Sequence, residues 1–236
     1  MRYWAIIVAA GDGSRLGHRL RKAAVELGGK SIAALSTEAV IADSSCAGAV
    51  LVVHSDDLAE ANRWLDSIEK GSLEIHLAVG GSSRRESVSN GFSVLEAMAD
   101  AADLVAIHDG ARPLLHREDL RQVLSVADET GAALLAEAVT DTLHHGDKDS
   151  SWFGFVDRDR LWHAQTPQIF RYSDLAEGLQ SESEKTSESG RETDEVAAVV
   201  ANGQPVHFVQ ARHPNLKITT PADLQLAQLL IESRLA

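Results

Sequence analysis

Four basic residues, Arg15, Arg19, Arg21 and Lys22, follow the glycine-broken stretch Gly11-Asp12-Gly13-Ser14, and no acidic residue lies between Gly13 and Val25. Glycines at a turn let bare backbone N–H groups approach an anion, and guanidinium and ammonium groups match phosphate oxygens. The chemistry this points to is capture of a small polyanion at one place. Gly11, Gly13 and Gly17 are spaced G-x-G-x-x-x-G. A dinucleotide site expects G-x-G-x-x-G and an acidic residue about twenty positions on. That departure, and Arg15 inside the loop, favour a triphosphate; the plainer alternative is a tight strand–helix turn with incidental arginines.

Two further constellations could complete such a site. Gly80-Gly81-Ser82-Ser83-Arg84-Arg85-Glu86-Ser87-Val88 opens a helix; its glycines allow a flat base or sugar near the backbone, and Ser87 offers a hydroxyl in the first turn. Taken without the other motifs, an ordinary capped helix start is the better explanation. In His108-Asp109-Gly110-Ala111-Arg112-Pro113, the Asp109 carboxylate ends a strand opposite the phosphate loop. It is placed there to hold Mg²⁺, with Arg112 completing a clamp; the alternative is an Asp–Arg ion pair. His108 reads as packing, because no second His or Cys stands at zinc spacing. Asp141-Thr142, Asp157-Arg158 and Asn215-Leu216-Lys217-Ile218-Thr219 add polar groups that are individually weak signals.

These motifs need elements to position them. Short apolar or β-branched runs at 4–10, 49–54, 74–79, 104–108 and 132–136 alternate with helical patterns at 32–42, 57–69, 86–99 and 117–130. Such alternation predicts an α/β fold: a Rossmann-like, mostly parallel doubly wound sheet whose ligands bind beyond the carboxyl ends of the strands. The rhythm changes at 140–162, where turn residues separate short apolar pieces, and an extended β-arm suited to dimerisation is expected. Most of the polar, acidic tract 181–195 reads as a surface loop. A helix near 196–201, a strand at 206–210 and a helix at 221–235 close one domain over residues 1–236.

Composition narrows the partners. A formal charge of −13 argues against a nucleic-acid or anionic-membrane surface, so an anionic ligand must be recognised locally. The single Cys46 excludes an intramolecular disulfide and has no neighbouring base to make it a nucleophile. The apolar run near the N-terminus is short for a signal peptide, and no stretch spans a bilayer. A cytoplasmic protein is the expectation.

Taken together and in this order, the motifs resemble the 2-C-methyl-D-erythritol 4-phosphate cytidylyltransferases of the non-mevalonate isoprenoid pathway. The matches run from Ala9-Ala10-Gly11-x-Gly13-x-Arg15 and Leu27-Gly28-Gly29-Lys30 through the glycine, aspartate and Gln165-Thr166-Pro167-Gln168 motifs to Thr193-Asp194-Glu195 and Asn215-Leu216-Lys217-Ile218-Thr219. The resemblance implies that Ala9, Ala10, Gly11, Gly13, Arg15 and Lys22 hold the phosphates of CTP, while Gly80, Gly81 and Ser87 contact cytidine. It implies that Asp109 binds Mg²⁺ and substrate, and that Arg112, Thr142, Arg158, Thr193 and Lys217 surround the polyol phosphate. Arg15, Lys22, Asp109 and Lys217 would be catalytic, and Thr142 and Arg158 would come from a partner's arm in a homodimer. Arg21-Lys22-Ala23 stands where the family has Pro-Lys-Gln, and Leu143-His144 where it has a lysine after Asp-Thr. The first change keeps the cation and removes a rigid turn, so a looser loop is expected. Three competing readings are a ribitol 5-phosphate cytidylyltransferase, a CTP-binding homologue without chemistry, and a Rossmann oxidoreductase.

Overall fold

Along residues 3–9, Tyr3, Ala5, Ile7 and Ala9 pack into one apolar cluster while Trp4 and Ile6 pack into another. A strand apolar on both faces belongs inside a covered sheet. The computed structural model, which describes residues 1–13, 21–147, 149, 151–184 and 194–235, places this strand, β1 (Tyr3–Ala9), within a seven-stranded sheet. In chain order follow the hairpin β2 (Glu26–Leu27) and β3 (Lys30–Ser31), α1 (Ile32–Ile41), β4 (Cys46–Val53), α2 (Leu58–Asp66), β5 (Ile75–Val79), α3 (Arg84–Leu95), β6 (Leu104–Asp109), α4 (Arg117–Thr130) and β7 (Ala132–Ala138). The arm strands β8 (Leu143–Gly146) and β9 (Trp152–Val156) come next, then β10 (Trp162–Arg171), α5 (Tyr172–Glu184), α6 (Glu195–Ala201), β11 (His207–Gln210) and α7 (Pro221–Leu235).

The sheet order is β11-β7-β10-β6-β1-β4-β5. Only β10 runs antiparallel to its neighbours. Residues of α1, α2 and α4 cover one face and residues of α3, α5 and α6 the other, which is the doubly wound arrangement expected. A smaller cluster of Val25, Leu27, Ile32, Leu114, Ile218 and Ala227 docks α7 beside the hairpin. The arm is a separate two-stranded sheet.

Two segments hold more structure than their sequence shows. The stretch 162–171, just past the expected arm, is a central strand; Pro167 disguises it, since proline cannot join a ladder through its nitrogen. The strand accommodates it with a register shift between Ala164 and Gln168. The tract 181–195 is not all loop: it begins inside α5, and its last residue, Glu195, opens α6 and is buried. The remainder, 185–193, lies outside the described residues.

The join between β6 and β10 is polar. His108 is fully buried, and its Nε2 lies 3.0 Å from the Arg112 carbonyl. A carbonyl only accepts, so Nε2 carries the proton. Nδ1 therefore accepts from the Thr166 hydroxyl at 3.0 Å, and that hydroxyl oxygen in turn accepts the Asp109 N–H at 3.0 Å. The neutral ring satisfies every partner, and burial lowers the His108 pKa to about 4. Because unfolded histidine titrates near ~6.5, the unfolded chain takes up a proton that the folded chain refuses, and stability declines as pH falls from about 6.5 to 4. We predict that this group alone contributes a loss of about 3 kcal/mol across that window, read in urea titrations at stepped pH as a slope that is shallower in His108→Gln.

Candidate active site

In-register pairing aligns the carboxyl ends of four strands: Val8 of β1 pairs with Asp109, Ala9 with Val53, and Val53 with Val79. From β1 the chain builds outward through β4 and β5, then crosses back to lay β6 on the other side of β1. The crevice at such a switch point is where open α/β sheets bind ligands. A cleft of about 510 Å³ opens there, lined among others by Ala9, Ala10, Gly11, Asp12, Lys22, His54, Gly81, Arg84, Ser87, Asp109 and Lys217.

The start of the phosphate loop folds onto its end. Gly13 adopts φ +65°, and a Cβ there would stand 2.6 Å from the Cβ of Lys22. Glycine is thus required where the two ends touch, and Lys22 faces the cleft from this junction. Arg15 lies outside the described residues. On the adjacent wall a Cβ on Gly80 would meet the Cβ of Ala10 at 2.2 Å, so the turn into α3 packs directly on the end of β1. The Ser83 side chain caps α3 by accepting from the Glu86 N–H at 3.1 Å. The Ser87 hydroxyl donates to the Ser83 carbonyl at 2.9 Å and accepts the Gly81 N–H at 3.1 Å, which braces the glycine turn from inside.

Asp109 is the centre of the cluster. Lys217 Nζ lies 2.8 Å from its Oδ2, Arg112 Nε 3.4 Å from the same oxygen, and Arg84 Nε 3.4 Å from Oδ1. Burial alone would raise the Asp109 pKa, but Lys217, Arg84 and Arg112 outweigh it and hold the carboxyl well below the usual range. Burial also works against the charge on Arg84, which Glu195 and Asp109 preserve. Three cations against two carboxylates leave this wall positive, with Lys22 facing it from the loop.

Each cation is aimed by a motif. Arg84 is the first residue of α3, set by the Ser83 cap. Lys217 sits on a segment fixed on both sides: the Ile218 N–H donates to the Ala111 carbonyl at 2.9 Å, and Asn215 Nδ2 donates to the Thr166 carbonyl at 2.8 Å. Gln168 Nε2 donates to Asp194 at 2.8 Å, which holds the start of α6 and so Glu195 against Arg84.

Most sequence-predicted residues meet here: Ala9, Ala10, Gly11, Gly13, Lys22, Gly80, Gly81, Ser87, Asp109 and Lys217. Arg112 does not line the cleft. It lies behind Asp109, where Nη1 donates to the Asn215 carbonyl at 2.8 Å, so the ion pair offered as its alternative is what forms. Thr142 and Arg158 are exposed at the arm, with Arg158 donating to the Thr140 carbonyl, and neither lines the cleft. Thr193 lies outside the described residues. Sequence reasoning gave no role to Arg84, Asn215 or Glu195. The Ser83–Glu86 capping spacing was the available sign for Arg84, whereas nothing local marks Glu195 as buried.

Asp109 also bears the expectation of Mg²⁺. One buried, ionised carboxylate opposite a phosphate loop suits that ion, which takes one or two carboxylates, phosphate oxygens and water. Oδ2 is engaged by Lys217 and Arg112, whereas Oδ1 has one longer contact, with Arg84. Elsewhere His116, Glu118 and His213 offer ligand atoms within 4.8 Å of one another. The two imidazole rings stack with centroids 3.5 Å apart, so their lone pairs run side by side instead of converging, and His116 Nδ1 caps α4.

Comparison with known proteins agrees with this geometry. Residues 3–233 match the sequence model of the 2-C-methyl-D-erythritol 4-phosphate cytidylyltransferase (IspD) family. The chain is similar to a protein of that name from Stenotrophomonas maltophilia, at 36% identity over 98% of this chain and 97% of the relative. A second from Geobacillus thermodenitrificans is 34% identical over the full length of both. Among solved structures, a 4-diphosphocytidyl-2C-methyl-D-erythritol synthase superposes with a TM-score of 0.79 at 28% identity, covering 98% of this chain and 99% of that one. The 2-C-methyl-D-erythritol 4-phosphate cytidylyltransferase of Thermus thermophilus superposes with a TM-score of 0.76 at 28% identity, covering 98% and 100%. A family model that spans residues 3–233, together with relatives 36% and 34% identical over nearly the whole chain, places the chain in the 2-C-methyl-D-erythritol 4-phosphate cytidylyltransferase family.

Proposed function

We propose that this chain joins CTP to 2-C-methyl-D-erythritol 4-phosphate, giving 4-diphosphocytidyl-2-C-methyl-D-erythritol and pyrophosphate. The observation that carries the reading is the pairing of a loop lysine, Lys22, with the Asp109–Lys217–Arg84 cluster across one cleft. An oxygen of the monoester phosphate attacks the α-phosphorus of CTP and forms the new P–O bond. The bond to the bridging oxygen breaks, and pyrophosphate leaves with the electron pair. The nucleophile is already anionic, so the chain needs no strong base; its task is to bring two anions together and to stabilise charge at the transferring phosphorus.

In this reading Ala9, Ala10, Gly11, Gly13, Arg15 and Lys22 receive the triphosphate, and Gly80, Gly81 and Ser87 shape the nucleoside side. Lys217 meets the incoming phosphate, with Asp109 fixing its position, and Arg112 acts by holding Asp109. Asp109 would hold Mg²⁺, which when bound would supply positive charge to the phosphate oxygens. Thr142, Arg158 and Thr193 complete the polyol side, the first two from a second subunit. A homodimer is supported by the arm, where Trp152 and Phe155 are 63% and 70% exposed; burying them against another chain would remove apolar surface from water. A cytoplasmic setting fits the buried, reduced Cys46.

Phosphorus NMR of the chain with CTP, Mg²⁺ and 2-C-methyl-D-erythritol 4-phosphate is expected to show pyrophosphate and the diphosphocytidyl product. Ribitol 5-phosphate in its place is expected to give little; preference for it would reassign the substrate. Lys22→Ala is expected to reduce turnover about a hundredfold, the ~3 kcal/mol of one lost transition-state donor, with the thermal midpoint unchanged. Wild-type turnover in that variant would remove Lys22 from the catalytic set. Asp109→Asn is expected to lower turnover by a similar factor and to raise the Mg²⁺ concentration needed for half-maximal rate; an unchanged Mg²⁺ dependence would exclude Asp109 as the ligand.

A further inference from the structure

Arg21 stands where the family that the sequence resembles has a proline, and its side chain meets a group of carboxylates. Its backbone has φ −60° and ψ 148°, and that φ is the value a pyrrolidine ring would fix. The three guanidinium nitrogens reach three different carboxylates. Nη2 lies 2.7 Å from Asp56 Oδ2, Nη1 3.6 Å from Asp57 Oδ1, and Nε 3.8 Å from Asp12 Oδ1. Asp12 lines the cleft at the start of the phosphate loop. Asp56 and Asp57 belong to the 3₁₀ turn Ser55–Asp57, directly after the cleft residue His54. Asp57 Oδ2 is buried with no hydrogen-bond partner among the described residues, so the nearby guanidinium bears on a carboxylate that water does not fully serve. Immediately beyond, the turn Lys22–Ala24 closes as the Ala24 N–H donates to the Arg21 carbonyl at 3.0 Å.

We propose that Arg21 is a positioning residue for CTP: by gripping Asp12, Asp56 and Asp57 it fixes the backbone from which Lys22 enters the cleft. The inference rests on the functional reading above. The grip ties the loop to the end of β4, so a chain lacking the rigid imino acid keeps its conformation through charge. Asp12 and Asp56 face solvent, so each pair alone is weak. The expected effect is therefore modest and confined to nucleotide binding.

The test is steady-state kinetics on the full chain, varying CTP and 2-C-methyl-D-erythritol 4-phosphate separately. Arg21→Ala is expected to raise KM for CTP about fivefold, as suits a small network in which two of the three carboxylates are exposed, with KM for the polyol phosphate within twofold. Arg21→Pro is expected to return KM for CTP to near the wild-type value, since the ring imposes the same φ. Asp56→Asn is expected to shift KM for CTP in the same direction as Arg21→Ala, with the double variant no worse than Arg21→Ala alone. An unchanged KM for CTP in Arg21→Ala, or an Arg21→Pro variant as weak as Arg21→Ala, would overturn the proposal. Should Arg21→Ala fail to fold, Arg21→Pro and Asp56→Asn decide it. A wild-type chain that releases no pyrophosphate would instead overturn the functional reading, and calorimetric CTP binding by the same variants would still decide the role of Arg21.

Discussion

An ionised carboxylate with little access to water, held by three cations of which two come from distant parts of the chain, is the constraint from which the rest of this structure follows. Asp109 belongs to β6, Arg84 to the start of α3, Arg112 to the turn beyond β6, and Lys217 to the segment before α7. Removing one partner of a buried pair commonly costs ~3–5 kcal/mol, because an uncompensated charge remains. Each segment must therefore arrive close to its place. The motifs around the cleft meet that demand. The Ser83 cap sets the first turn of α3, Asn215 clips the lysine segment to β10, and Thr166 holds the Asp109 backbone while fixing the tautomer of His108.

The same arrangement explains how an acidic protein of charge −13 receives polyanions. Its field at long range is unfavourable to them, so attraction must be built locally, where screening by water is least. The cluster does this by surplus: the carboxylates orient the cations without cancelling them. Lys22 adds a cation from the opposite wall. Recognition of this kind depends more on placement than on total charge.

Much of this was legible in the sequence. Apolar alternation gave the parallel strands and their helices, since a strand covered on both faces must be apolar throughout, and the glycine and aspartate motifs fell at strand ends where the fold puts ligands. What was not legible depends on distant partners. The segment around Pro167 looks like a turn because its polar residues find their partners only in the folded chain: Thr166 on His108, Gln168 on Asp194. Glu195 looks like the end of a solvated acidic tract until Arg84 is brought against it. Arg112 and the arm residues show a further limit. A motif names the residues of a site without saying which stand at its surface, which behind it, and which on another element.

The position of β10 bears on how such a molecule comes into being. It is inserted between β6 and β7, both made earlier, and pairs antiparallel with each. A nascent chain that has left the ribosome only as far as β7 therefore carries two strand edges waiting for a third, and such edges are prone to pair with the wrong neighbour. The carboxylate cluster is unfinished even then, because Lys217 lies far beyond β7 in the chain. Any product that stops short of Lys217 lacks one of the three cations that hold Asp109.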